Sequence, residues 1–224
     1  MSVNNLEVLY VDNHLLVCVK PAGVLSQEAD KDLDDMLNLG KAYIKEKYQK
    51  PGNVFLGLVH RLDLNVGGVM VFARTSKAAS RLAESIQSHQ FSKKYYAVVE
   101  GIWLDKNQGE LVNYLRKDEQ SLTSIEDPHG QLAKLEYQYI ESKEYHKEVL
   151  SLVEIELITG RFHQIRKQFS LRGHPLYGDQ KYGSKTSLQM LPLYAYSLSF
   201  PHPISKEILT FKKEPQGKIF DIFK

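Results

Sequence analysis

The 224-residue chain has one cysteine, and a lone Cys18 closes no intramolecular disulfide. A stapled secreted scaffold is therefore excluded, and a reducing, cytoplasmic setting is expected. Cys18 lies in the apolar run LLVCV, where a small buried hydrophobe is the default reading. No run approaches the roughly 18 apolar residues of a membrane span. The opening MSVNNLEVLYVDNH has neither the basic start nor the apolar stretch of a signal peptide. Also missing are a Walker-type glycine loop, GxGxxG, GxSxG, HExxH and paired CxxC, so nucleotide hydrolysis, hydride transfer and serine or zinc hydrolysis lose their usual residues. Cys18 and the eight histidines form no zinc pattern: His60, His163 and His174 are far apart, and no metal is expected.

What is present is ordinary in amount and uneven in distribution. An apolar fraction of 42% and a charged fraction of 25% fit a globular protein with a full core, one domain over residues 1–224 that can have two lobes. Net charge is only +2, yet Arg161, Arg166, Lys167, Arg172, Lys181 and Lys185 fall in one stretch. Such a run is usually a solvated face, and it can also form a patch that meets phosphates.

LEVLYVDNHLLVCVK reads as two strands about a polar turn at Asp12-Asn13, ended by Pro21 and Gly23. Apolar residues near helical spacing predict a helix from Asp32 to about Tyr48. VFLGLVH and GGVMVFA read as buried strands, and Ser76 as the N-cap of a helix running to about His89. YYAVVEG, LAKLEYQYI, LSLVEIELI and LYAYSLSF read as further strands, and HQIRKQFSLRG as a short helix stopped by Gly173 and Pro175. Strand runs with scattered helices, rather than alternating βαβ units, give α+β with a largely antiparallel sheet and flanking helices.

Between the two central strand runs lies HRLDLNVGGVMVFART, with an aspartate, Asp63, among basic residues and glycines. On its own, Asp63 reads first as an Asx turn or an ion pair with Arg61 that shapes the loop, and only second as a group for chemistry. Tyr95 and Tyr96 alternate faces in their strand, so at least one of them belongs to the core.

Four segments, in order, resemble the RluA-type pseudouridine synthases. HRLD followed by GG and an apolar run is similar to that family's H-R-L-D-x-x-T-S-G-L-L-L-F motif. VDNHLLVCVKPAGVLSQ resembles its opening hairpin and Lys-Pro-x-Gly, and KKYYAVVEG its K-x-Y-x-A-x-V-x-G strand. ITGRFHQIRKQFSLRGHPLYGDQKYG matches its T-G-R-x-H-Q-I-R and G-H-P-x-x-G-D-x-x-Y-G block almost in full. The resemblance implies the pseudouridine synthase catalytic fold and a cofactor-independent isomerase that converts uridine to pseudouridine in structured RNA, a transfer or ribosomal stem-loop. It implies Asp63, Tyr95 and Arg166 as catalytic residues, with Arg166 paired to the aspartate. Arg61 matches an arginine associated with the displaced nucleotide. Arg161 and His163 take supporting roles at the RNA, and Lys167 and Arg172 follow in the same basic stretch. A monomer without membrane attachment is expected.

The chemistry of the residues agrees. A carboxylate at the sugar serves either as a nucleophile on the anomeric carbon or as the base for a neighbouring sugar proton, and an adjacent cation keeps it ionised. An aromatic ring can stack on the freed base. The chain departs from the motif at Val66-Gly67, where two hydroxyl residues are usual, which bears on loop geometry and on the grip on RNA. With no separate RNA-binding module expected ahead of the opening hairpin, loops at 24–35 and 105–131 are the candidates for recognition. The competing reading is a catalytically silent RNA-binding or ribosome-assembly protein on the same fold. A carboxylate glycosidase ranks below both, since Asp63 lacks a second acid nearby.

Overall fold

The computed structural model describes residues 6–27, 35–102 and 107–224. In chain order the elements are β1 (Val8–Val11), β2 (Leu15–Lys20), α1 (Met36–Lys47), β3 (Gly57–Leu58), β4 (Gly67–Ala73) and α2 (Ser76–Gln87). Then follow β5 (Ser92–Glu100), β6 (Gln108–Asp118), β7 (Thr123–Glu126), β8 (Gln131–Tyr145) and β9 (Glu148–Leu157). α3 (Gln164–Leu171), β10 (Leu193–Pro201), β11 (Ile208–Lys212) and α4 (Lys218–Asp221) complete the chain. The strand pairs with a defined register are antiparallel, in line with the expected α+β class. The chain forms two compact units, residues 1–92 with 196–213 and residues 93–195 with 214–224.

In the first unit the expected hairpin is present, and its turn is fixed by Asp12, whose Oδ1 accepts from the amides of His14 and Leu15, each at 2.7 Å. β2 pairs with β4 from Leu15↔Ala73 to Lys20↔Gly68. Both strands are buried along their whole length, which is why they read as continuous apolar runs. One face carries Leu15, Val17, Val69 and Val71 against Ala78 and Leu82 of α2, with Phe91 stacked on Phe200 at 5.1 Å. The other face lies under α1 at Leu16. A Cβ on Gly40 would stand 2.7 Å from Leu56 Cδ2 and 3.1 Å from Leu16 Cδ2, so the helix comes this close because residue 40 has no side chain.

Three boundaries differ from the sequence reading, each for a local reason. Helix α1 starts at Met36 behind Asp35, whose carboxylate accepts from the amide of Asn38 at 2.9 Å. The earlier positions 32–34 assigned to that helix lie outside the described residues. The cap of α2 is Thr75 rather than Ser76: its hydroxyl accepts from the Ala78 amide at 3.1 Å. VFLGLVH contributes only Gly57 and Leu58 to a strand, because further along β4 the amide of Val71 donates to the imidazole Nε2 of His60, at 3.1 Å, instead of to backbone.

The second unit is built on the order β5-β9-β8-β6-β7. The segment 105–131, expected as a recognition loop, instead holds β6 and β7, paired with each other and, through β6, with β8. Most of the other candidate loop, 24–35, lies outside the described residues. Gln168 of α3 is fully buried and donates to Leu111 O, Asn113 Oδ1 and Ala133 O, tying the helix to β6 and β8. No helix among the described residues is long and apolar enough to cross a membrane.

Candidate active site

Strand β3 delivers the chain to His60, and the next six residues form a loop fixed on nearly every side. His60 accepts the Val71 amide, and its ring meets Phe91 edge-on. Arg61 is exposed and Leu62 buried. The Ser26 hydroxyl grips Leu62 in both directions, donating to its carbonyl at 2.8 Å and accepting from its amide at 3.1 Å. Asp63 is half-buried, and the amide of Val66 closes a turn onto its carbonyl at 3.1 Å. Leu64 is exposed, yet its carbonyl is taken by the Gly23 amide at 2.8 Å.

Lys20 completes this cage from below. It is 0% exposed at the end of β2, and its ammonium donates to Pro21 O (3.1 Å), Leu64 O (3.1 Å) and Val66 O (2.8 Å). Three N–H groups meet three carbonyl acceptors, so the ammonium is satisfied although it is out of water. Burial pulls its pKa down to about 8, and the charge of Asp63 works in the opposite direction. The positions where the family motif carries hydroxyls face inward: Val66 is 2% exposed, and Gly67 and Gly68 are buried at the start of β4. Gly68 stands opposite Lys20 with φ of 135°, a conformation that favours glycine. The loop is thus held by the Ser26 hydroxyl and the Lys20 ammonium rather than by side chains at 66 and 67.

The other predicted site residues belong to the second unit. Tyr95 is buried in β5, opposite Ile155. The neighbouring Tyr96 points to the other face, half-buried, and packs with Val98 against Leu150, Tyr177 and Phe220. Arg166 is buried on α3, with Nε donating to Asp179 Oδ2 at 2.6 Å and Nη2 to Asp179 Oδ1 at 2.8 Å. Its guanidinium also lies over the Tyr182 ring, 4.9 Å from the centroid. His163 takes a left-handed backbone conformation at the start of α3, stacks on Phe162 and meets the Tyr182 hydroxyl through Nδ1 at 2.9 Å. Burial first, then the charges of Arg166 and Lys181, lower its pKa to about 3, so the imidazole is neutral. Arg161 anchors its Nε on Leu132 O, while Lys167 is half-buried on α3 and Arg172 exposed at its C-terminal end. No group of three or more His, Cys, Asp or Glu able to hold a metal occurs among the described residues.

A sequence profile described as RNA pseudouridylate synthase matches residues 14–171, more than half the chain and inclusive of Lys20, Asp63, Tyr95 and Arg166. The chain belongs to the RNA pseudouridylate synthase family. An uncharacterized RNA pseudouridine synthase of Bacillus subtilis is 35% identical over 208 residues, spanning 91% of this chain and 67% of the relative. A ribosomal large subunit pseudouridine synthase D of Zymomonas mobilis is 32% identical, spanning 98% of this chain and 72% of its own. Among solved structures, human RNA pseudouridylate synthase domain containing 1 superposes with a TM-score of 0.77 at 22% identity, covering 96% of this chain and 85% of that one, which shows the shared fold. Membership in this pseudouridylate synthase family favours an RNA isomerase over the catalytically silent reading. Neither Lys20 nor Ser26 stands out in the sequence as a working residue. The signal that leads to Lys20 is its place in Lys-Pro-Ala-Gly ahead of HRLD, two segments that the fold brings together.

Proposed function

We propose that the protein isomerises uridine to pseudouridine within structured ribosomal or transfer RNA, using Asp63 as the reacting carboxylate. The observation that carries this reading is the Asp63 loop: a half-buried acid whose backbone neighbours at 62, 64 and 66 are each pinned, beside a buried ammonium. In the reaction the bond from the sugar anomeric carbon to base N1 breaks and one to base C5 forms. C5 loses a proton, N1 gains one, and no redox partner is needed. An ionised Asp63 serves as nucleophile at the anomeric carbon or as base for a neighbouring sugar proton. Either role needs the carboxylate held in place before the base moves, which a pinned loop supplies.

Tyr95 is assigned to stack on the detached uracil, and Arg166 to the guanidinium of the site, both from the family motif. The bidentate pair with Asp179 fixes the plane of that guanidinium. Arg61 is exposed two residues before Asp63, suited to a phosphate or to the space vacated when the nucleotide leaves its stack, a step costing a few kcal/mol. Arg161, His163, Lys167 and Arg172 are assigned to support the RNA, and residues 1–224 to one catalytic domain built from the two units. Incubating the purified protein with cellular RNA and mapping new pseudouridines tests this reading. New sites at defined uridines are expected, whereas tight RNA binding with no new pseudouridine would favour the silent protein.

A further inference from the structure

We infer that Lys93 is a phosphate-binding residue: its ammonium takes a phosphate of the RNA substrate on the face of β5 that carries Tyr95. This deepens the reading of structured RNA as the substrate and rests on it. The geometry lies within the second unit. Lys93 and Tyr95 are two residues apart in one strand, so their side chains leave from the same face. Lys94, between them, leaves from the other face and meets Glu154 at 3.2 Å and Glu156 at 3.8 Å. Lys93 differs: among the described residues its ammonium meets neither a hydrogen-bond acceptor nor a carboxylate. It lies instead against the turn Thr159-Gly160-Arg161, where a Cβ on Gly160 would stand 3.4 Å from Lys93 Nζ.

That turn is held by Gln164, whose Oε1 accepts from Thr159 Oγ1 at 2.8 Å and from the Arg161 amide at 3.0 Å, while its Nε2 donates to Lys134 O at 3.1 Å. Gly160 is exposed and has no side chain to cover the ammonium. Arg161 and Lys167, which follow the turn, also meet no carboxylate among the described residues, so positive charge on this side is in excess. Lys93 itself is half-buried, and burial pulls its pKa below the usual lysine value with no carboxylate acting the other way. A cation taken partly out of water without an anion is a cost that the fold leaves unmet. A phosphate oxygen offsets it. A compact ammonium suits one phosphate and carries no information about the base, so Lys93 grips the strand rather than reading its sequence.

The experiment is RNA affinity against salt, measured on a labelled transfer or ribosomal RNA that the protein binds. In Lys93→Met the affinity is expected to fall about tenfold at low salt, and the slope of log affinity against log salt to shrink by about one. The melting temperature should not fall, because the charge removed had no partner in the protein. Lys93→Arg keeps the charge and should restore the slope. Wild type supplies a check that needs no variant: bound RNA should slow the acetylation of Lys93 by acetic anhydride, read by mass spectrometry. Equal reactivity with and without RNA would overturn the inference even if both variants fail to fold. So would wild-type affinity and salt slope in folded Lys93→Met, or a melting temperature lowered together with affinity, which would make Lys93 a structural residue. Pseudouridine mapping, run alongside, keeps the two claims apart. If the Lys93-dependent slope is present and wild type forms no pseudouridine, the isomerase reading fails and the phosphate contact stands; if wild type modifies RNA and Lys93→Met binds it equally well, only the Lys93 inference fails.

Discussion

Arg166 and Lys20 are both buried cations, one in each unit, and they are satisfied in opposite ways. The guanidinium meets Asp179 through two parallel hydrogen bonds and covers the face of Tyr182. The ammonium meets three backbone carbonyls, and the ionised group acting on it is the loop carboxylate Asp63. A planar fork matches a carboxylate, whereas a compact point charge matches divergent carbonyls. The pair with Asp179 thus fixes the plane of the Arg166 guanidinium. The Lys20 ammonium, with no carboxylate hydrogen-bonded to it, feels the charge of Asp63 at a distance.

The comparison can be broken most strongly at Arg166. Arg166→Met leaves Asp179 buried opposite no guanidinium, and the expected loss is about 3–5 kcal/mol in chemical denaturation. Adding Asp179→Leu should recover most of it, leaving the double variant within about 1 kcal/mol of wild type. A double variant as unstable as the single one would show that the pair does more than neutralise itself.

Lys20 sharpens the contrast through pH. Its folded pKa, about 8, lies below the ordinary lysine value, so between roughly pH 8 and 10.5 the unfolded chain binds a proton that the native one does not. Stability from this group is therefore present in full above the unfolded pKa and is lost as pH falls through the folded one. Wild type measured against Lys20→Met should gain up to about 3 kcal/mol over that window. A difference that stays constant with pH would mean that Lys20 ionises as an ordinary lysine.

His163 gives the smallest effect. Its folded pKa, near 3, lies below the unfolded value, so its contribution is complete above about pH 6.5 and drains away as pH falls toward 3. After allowance for partial solvent access, His163→Gln should flatten the acid side of the stability profile by about 1–2 kcal/mol. Superimposable wild-type and variant profiles would contradict the neutral, buried imidazole.

How far these features were legible in the sequence depended on whether the cause was local. The β1–β2 hairpin, the buried β2 and β4 runs and the alternating strand β9 follow from nearest-neighbour pattern, and the structure contains them. Strand β6 escapes that reading because its inward positions run Gly109, Leu111, Asn113 and Leu115, so alternation does not register as apolar and polar. The early end of β3 depends on a side chain, His60, replacing backbone as acceptor eleven residues away. Asp63, Tyr95 and Arg166 were proposed through motif resemblance, and chemistry alone left Asp63 open between turn and acid. Lys20 and Ser26 were not, since their partners lie 36 to 46 residues distant and spacing along the chain does not encode that pairing. The carboxylate partner of Arg166, Asp179, lies inside the matched G-D-x-x-Y-G block yet reveals its role only in the fold.

The central claim is that Asp63 does the chemistry, and the most direct test is Asp63→Asn measured beside wild type on one RNA shown to acquire a pseudouridine. Single-turnover formation of pseudouridine should drop by at least about 10⁴-fold while RNA affinity stays within threefold. Pseudouridine formation by Asp63→Asn at a rate near that of wild type would contradict the account.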